Sequence, residues 1–243
     1  MTRPSPIMAI VVLLATAAFI ASPILTGSFN GYDPTQFPVP QVDPLIQPPG
    51  WTFLIWIGIY GWLGVSAVYG VFMRLTEPDW APMRPSLAVA LAVGATWLPV
   101  AQVSPFLATV LIFVMGLAAI VAFHDSPFLD HWLARGPLGL FAGWLTAASF
   151  VSLGLLLAGY GLFTERGAAI TCLVLALAVA AFISWTVKDS AMYEAAIAWA
   201  LAGIFLNALP QDRAVTVLAG AGGLVFGLLA LRGVQKMTLS KGL

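Results

Sequence analysis

Apolar residues in this chain do not alternate with polar ones. They come in eight long runs: about Ile7–Leu25, Trp51–Met73, Ser86–Val103, Pro105–Phe123, Pro137–Gly161, Ala168–Val187, Met192–Leu209 and Ala214–Leu231. A run of about 20 apolar residues spans a bilayer as a helix, because only a helix satisfies its backbone polar groups within one segment. The pattern therefore predicts an all-α fold, a polytopic membrane bundle of about eight transmembrane helices. The third and fourth runs are divided only at Ser104-Pro105. A residue before proline disfavours helix, and an unbroken helix across both runs would overrun the membrane. The fifth run is long enough to tilt. The first run has an alternative reading as a signal peptide, with Arg3 before it and small residues at Ala18, Ala21 and Ser22.

Composition agrees with a membrane chain. Charged residues make up 8%, where a soluble domain carries about 25%. Ten basic and ten acidic residues balance, which leaves no electrostatic footprint for nucleic acid. The single cysteine, Cys172, lies in an apolar run; it forms no intramolecular disulfide and reads as a small buried side chain. Eight spans place Arg3, Arg74, Arg84, Arg135, Lys188, Arg232, Lys236 and Lys241 on one side and only Arg166 and Arg213 on the other. The positive-inside rule then puts both termini in the cytoplasm, as expected of a multi-pass protein of a bacterial inner membrane. Pairs of small residues four apart, Gly139/Gly143, Gly154/Ala158 and Gly223/Gly227, suit close helix contacts. Such contacts serve one bundle or a homo-oligomer.

The chain's longest polar segment, 26–47, falls on the outer side. It holds Asp33 and Asp43, prolines at 34, 38, 40 and 44, and no Lys or Arg, so it reads as stiff, extended polypeptide. The span after it is rich in rings. At 100° per residue, Phe53, Trp56 and Tyr60 share one face, with small Gly64 and Ala67 below them. Trp51, Trp62 and Tyr69 share the opposite face, as interfacial anchors would. The first stripe suits a pocket for a flat apolar ligand; ordinary helix packing produces the same pattern. Trp97, with Pro99 and Gln102 after it, and Trp144, on one face with Phe141, Ala148 and Ser152, are further candidates open to both readings.

The segment His124-Asp125-Ser126-Pro127-Phe128-Leu129-Asp130-His131 has metal-ligating residue types. Pro127 breaks any helix there, and a solvated turn is the expected reading, with no metal. No charged residue or histidine stands mid-span, which argues against an ion pump or a proton-coupled transporter. No phosphate loop, nucleophile elbow or HExxH motif occurs. No catalytic residue is nominated.

Pro48-Pro49-Gly50-Trp51-Thr52-Phe53, then Ile55-Trp56, Tyr60 and Gly64, resembles the signature at the start of the second helix in the translocator protein family. That family is also known as TspO/MBR or the tryptophan-rich sensory proteins. The chain resembles a longer branch of it, with residues 1–162 as a five-helix core and 163–243 as three added helices and a short cytoplasmic tail. Trp97 fits the family's third-helix Trp, with Gly94 where the family has Asn, and Trp144 echoes its fifth-helix pattern. The resemblance implies a pocket roofed by the first loop and lined by Trp51, Phe53, Trp56, Tyr60, Trp97 and Trp144. Its ligand would be a tetrapyrrole, porphyrin or sterol-like lipid, with sensing or trafficking as the role. Helical angle places Trp51 opposite the other rings, yet its first-turn position lets it reach the pocket mouth.

No cofactor is required. A bound tetrapyrrole, metal-free for want of a buried histidine, or a lipid is the expected guest. Membrane lipid and a hydrophobic small molecule are the expected partners. Porphyrin photo-oxidation, the one enzymatic activity in view, rests on the resemblance alone. The alternatives are a transporter of a small apolar solute and an assembly partner of another membrane complex.

Overall fold

A computed structural model describes residues 5–27 and 29–239, with side chains as far as 236. Arg3 and Lys241, both used in the charge count, lie outside the described residues. The helices are α1 (Pro6–Thr26), α2 (Ile55–Phe72), α3 (Met83–Val103), α4 (Pro105–His124), α5 (Gly136–Gly159), α6 (Glu165–Thr186), α7 (Ala191–Ala208) and α8 (Arg213–Leu239). A 3₁₀ stretch, Gly50–Leu54, leads into α2. Among the described residues there is no strand, and eight helices are long and apolar enough to cross a membrane.

The predicted breaks fall where the chemistry places them. Ser104 is extended (φ −146°, ψ 103°), its hydroxyl accepts from the Leu107 N–H at 3.3 Å, and Pro105 opens α4. This cap ends one helix and starts the next within a single residue. Pro23 and Pro99 sit inside α1 and α3 without ending them, as membrane helices tolerate.

The bundle is arranged around α5. That helix packs on α4, α6 and α7 and, more lightly, on α2; α1 lies on α3 and α2, and α8 covers α7. Nearly every α5 side chain from Gly136 to Ser149 is buried, whereas α1 and α2 are the least enclosed helices. The Gly139/Gly143 pair does join helices. A Cβ on Gly143 would stand 2.9 Å from the Ala196 Cβ and 3.1 Å from the Tyr193 carbonyl carbon, so only glycine lets α5 and α7 approach this closely. In each of the other two pairs one glycine also meets a neighbouring helix: a Cβ on Gly154 would stand 3.5 Å from the Cys172 Cβ of α6, with Ile46 of the first loop nearer still, and one on Gly223 3.6 Å from the Leu201 Cβ of α7, whereas Gly227 has open space beside it.

The segment after α4 is no solvated turn. The Asp130 carboxylate accepts from Arg74 Nε (2.7 Å) and Nη2 (3.1 Å), Trp80 Nε1 (2.8 Å) and the Tyr69 hydroxyl (3.2 Å). The Arg74 guanidinium holds the Asp130 carboxyl below the ordinary carboxylate range. Tyr69 and Trp62 are accordingly not simple lipid-facing anchors. Tyr69 bonds Asp130, while Trp62 stacks on Trp132 and donates to its carbonyl at 2.7 Å. Two buried arginines brace the same end through carbonyls. Arg84 donates to Arg74 and Leu75, and Arg135 to Ser126 and Lys188.

Candidate ligand-binding site

The 29–50 loop forms a ceiling over the opposite end. It is not a loosely extended strap, because Phe37, Leu45 and Ile46 are buried in the bundle. Beneath it, the 3₁₀ stretch before α2 supplies Phe53, α2 Trp56, α3 Trp97, and α5 Trp144, Ala147, Ala148, Val151 and Ser152. The loop adds Phe29, Tyr32, Gln47 and Pro48. These residues line a tight apolar cavity of about 40 Å³, well below the roughly 300–1,000 Å³ of small-molecule sites, so a guest enters only if the rings part. The rings meet mostly edge to face: Phe53–Trp144 at 5.8 Å, Trp56–Trp144 at 6.1 Å, Phe29–Trp97 at 4.9 Å and Phe29–Phe53 at 5.9 Å. Such contacts fix ring orientation.

Polar groups are few and fall at two places. Along one wall, Tyr32 and Ser152 share a hydrogen bond of 2.9 Å, and Ser152 bonds Thr109 at 2.7 Å. Burial pushes the Tyr32 phenol above its ordinary pKa, so it stays neutral. In the other place, the buried Trp144 Nε1 has no hydrogen-bond partner among the described residues, unlike Trp97, whose indole N–H donates to the Ala108 carbonyl at 2.9 Å. A buried indole donor ordinarily finds an acceptor. Both histidines lie at the far end, His124 as the last residue of α4 and His131 after it, and no group of metal-ligating residues occurs among the described residues.

A second, roomier space lies against the first. This crevice of about 330 Å³ runs between α1 and α2 and is lined by Phe19, Ser22, Gly50, Phe53, Leu54, Trp56, Ile57, Tyr60 and Gly94, among others. Phe29, Phe53, Trp56 and Trp97 belong to both spaces and form the partition between them.

Of the residues nominated from sequence, Phe53, Trp56, Trp97 and Trp144 converge on the roofed cavity, and Tyr60 lies in the crevice, stacked on Trp56 at 5.4 Å. Trp51 stands apart. It is 42% exposed and packs edge to face on Trp199 of α7 at 5.2 Å.

The family model described as TSPO-like protein matches residues 7–232. The chain belongs to the TSPO-like family. No curated protein and no solved structure matches it. The family match runs through all eight helices of this TSPO-like protein, and the eight apolar spans make it a multi-pass integral membrane protein.

In this TSPO-like chain the position of the family's third-helix Asn is filled in another way. A Cβ on Gly94 would meet the Phe19 ring at 2.6 and 2.8 Å and Met115 Sδ at 2.9 Å. Phe19 thus occupies the space a side chain at 94 would need, and it packs on Trp56, Tyr60 and Phe141. Phe19, Phe29 and Tyr32 were not among the nominated residues. Phe29 and Tyr32 had one legible signal: they are rings in an otherwise polar, proline-rich loop.

Proposed function

We propose that the protein binds a planar hydrophobic ligand, a tetrapyrrole or a sterol-like lipid, in the roofed cavity and serves in its sensing or trafficking. The observation that carries the reading is the convergence of Phe53, Trp56, Trp97 and Trp144 on one enclosed space under the first loop. Stacking and edge contacts from four helix-borne rings favour a flat aromatic guest over a flexible chain. The unpartnered Trp144 N–H favours a guest with a hydrogen-bond acceptor, such as a carbonyl, a carboxylate or a pyrrole nitrogen. With both histidines at the other end of the bundle, a metal-free tetrapyrrole suits the site better than haem. The charge bias favours an orientation with the ceiling outside and the Asp130 end in the cytoplasm of a bacterial inner membrane.

The test is a titration of the purified protein with protoporphyrin IX, followed by tryptophan fluorescence. Saturable quenching is expected in the wild type and its loss in Trp56→Ala, with Trp51→Phe behaving as wild type. Quenching that saturates unchanged in Trp56→Ala would move the site elsewhere.

A further inference from the structure

The ceiling over the cavity is tied down along its length. Gln36 Nε2 donates to the Ala101 and Gln102 carbonyls of α3 at 3.2 and 2.9 Å. The Val39 N–H donates to the Gly159 carbonyl of α5 at 2.8 Å. Glu165, the first residue of α6, accepts from the Leu45 N–H at 2.9 Å. In α7, Asn207 donates to the Pro44 carbonyl at 3.0 Å, and Trp199 to the Thr52 carbonyl at 2.9 Å. Ile46 is plugged against Gly154 of α5 and Cys172 of α6. Lifting this loop toward water breaks these contacts together.

The α1–α2 side offers no comparable closure. The crevice there is rimmed by Leu54 and Ile57, which are 61% and 70% exposed on the outside of the bundle, at membrane depth in the outer half of the second span. Nothing lies within 4 Å of where a Cβ on Gly50 would stand at its upper edge. The side chains of Phe29, Phe53, Trp56 and Trp97 line both crevice and cavity. Trp97 is held by its bond to Ala108, whereas the Phe53 ring is held by its edge contacts with Phe29 and Trp144, which a rotamer change breaks. Ser22 Oγ, another buried polar group without a partner among the described residues, belongs to a residue that lines this crevice. It offers a polar contact to a molecule passing from the bilayer.

We infer that ligand exchanges sideways, between the surrounding lipid leaflet and the roofed cavity, through the α1–α2 crevice and past the Phe53 and Trp56 rings, while the ceiling stays shut. The ligand class that follows is a membrane-dissolved amphiphile, not one taken from water. The inference rests on the roofed cavity being the ligand site.

Two pairs of variants separate the routes, with protein in lipid nanodiscs, protoporphyrin IX as probe, and stopped-flow tryptophan quenching as readout. Gly50→Leu and Ile57→Trp narrow the mouth of the crevice. Each is expected to slow association and dissociation together by about tenfold, equivalent to about 1.4 kcal/mol on each barrier. Glu165→Ala and Asn207→Ala release the ceiling and are expected to leave both rates within about twofold of wild type. Saturable quenching in each variant reports that it is folded, and Ile57→Trp, on an exposed face, carries the test if Gly50→Leu fails to fold. Faster rates in the ceiling variants with unchanged rates in the mouth variants would overturn the lateral route, as would no rate change in any variant. Absence of saturable quenching in the wild type would instead overturn the reading of the cavity itself, and the route with it.

Discussion

The Gly94–Phe19 contact gives a prediction whose size and sign both follow from the structure. A methyl at position 94 would sit 2.6 and 2.8 Å from the Phe19 ring, where carbon atoms rest at about 3.5–4.0 Å. The ring must retreat by about 1 Å, yet Phe19 is only 3% exposed and is held by Trp56, Tyr60 and Phe141 at 5.0–5.9 Å. Gly94→Ala should therefore cost about 1–3 kcal/mol, the usual range for overfilling a packed core. Phe19→Ala alone should cost about 3 kcal/mol, the lower end for loss of a buried phenyl, because lipid tails also accept apolar surface. In the double variant the clash with the ring is gone, which leaves Met115 Sδ at 2.9 Å, on a flexible side chain that can swing into the vacated space, and Ala at 94 gains up to about 1 kcal/mol over Gly in helix propensity. The two substitutions should then fall short of additivity by about 1–3 kcal/mol, well above the scatter of roughly 0.5 kcal/mol expected of independent sites. The assay is unfolding of the four proteins in mixed detergent–SDS micelles, followed by circular dichroism. Additivity within that scatter would refute the claim that Phe19 fills the space of a side chain at 94.

Two further outcomes follow from the α5 contacts and the Asp130 cluster. Gly143→Ala should push α5 from α7 and lower stability in the same micelles by about 1–3 kcal/mol, whereas Gly227→Ala, with open space beside it, should be neutral or slightly stabilising; equal effects would remove the close-contact argument. Because Arg74 depresses the Asp130 carboxyl, that group stabilises the fold above the ordinary carboxylate range, about pH 4, and its contribution is lost as pH falls through the depressed value. Thermal unfolding from pH 7 to pH 3 should show this loss in the wild type, and Asp130→Asn should show a smaller one; identical profiles would count against the cluster.

The span architecture was legible because each helix is long, apolar and bounded by a residue with a local reason to stop. Ser104-Pro105 needed no tertiary information to place. The face of α2 carrying Phe53, Trp56 and Tyr60 was legible too, although Gly50–Leu54 is wound as a tighter 3₁₀ turn. What sequence could not give is which neighbour each face meets. Trp51 shares a signature with Phe53 and Trp56, yet it meets Trp199, a residue about 150 positions away. Asp130 looked like one acid in a polar turn, because its partners Arg74, Trp80 and Tyr69 come from α2 and the connection after it. Long-range contacts between helices of similar composition leave no periodic trace.

The same kind of long-range contact gives α6 and α7 a physical part in the site. Glu165, Trp199 and Asn207, all from α6 and α7, make three of the ties that hold the ceiling and the start of α2. Counting the ties at Gln36 and Val39 as well, five attachments at about 0.5–1.5 kcal/mol each come to roughly 3–8 kcal/mol, before any loss of Ile46 and Leu45 burial. A ceiling that opened only by breaking them would be open less than about 1% of the time, and a ligand dependent on that state would lose the corresponding factor in apparent affinity. Turning the Phe53 ring alone gives up its two edge contacts, with Phe29 and Trp144, at about 1–3 kcal/mol, and breaks no hydrogen bond. On these magnitudes α6 and α7 convert a movable lid into a fixed roof, and the lower barrier is the one that faces the lipid.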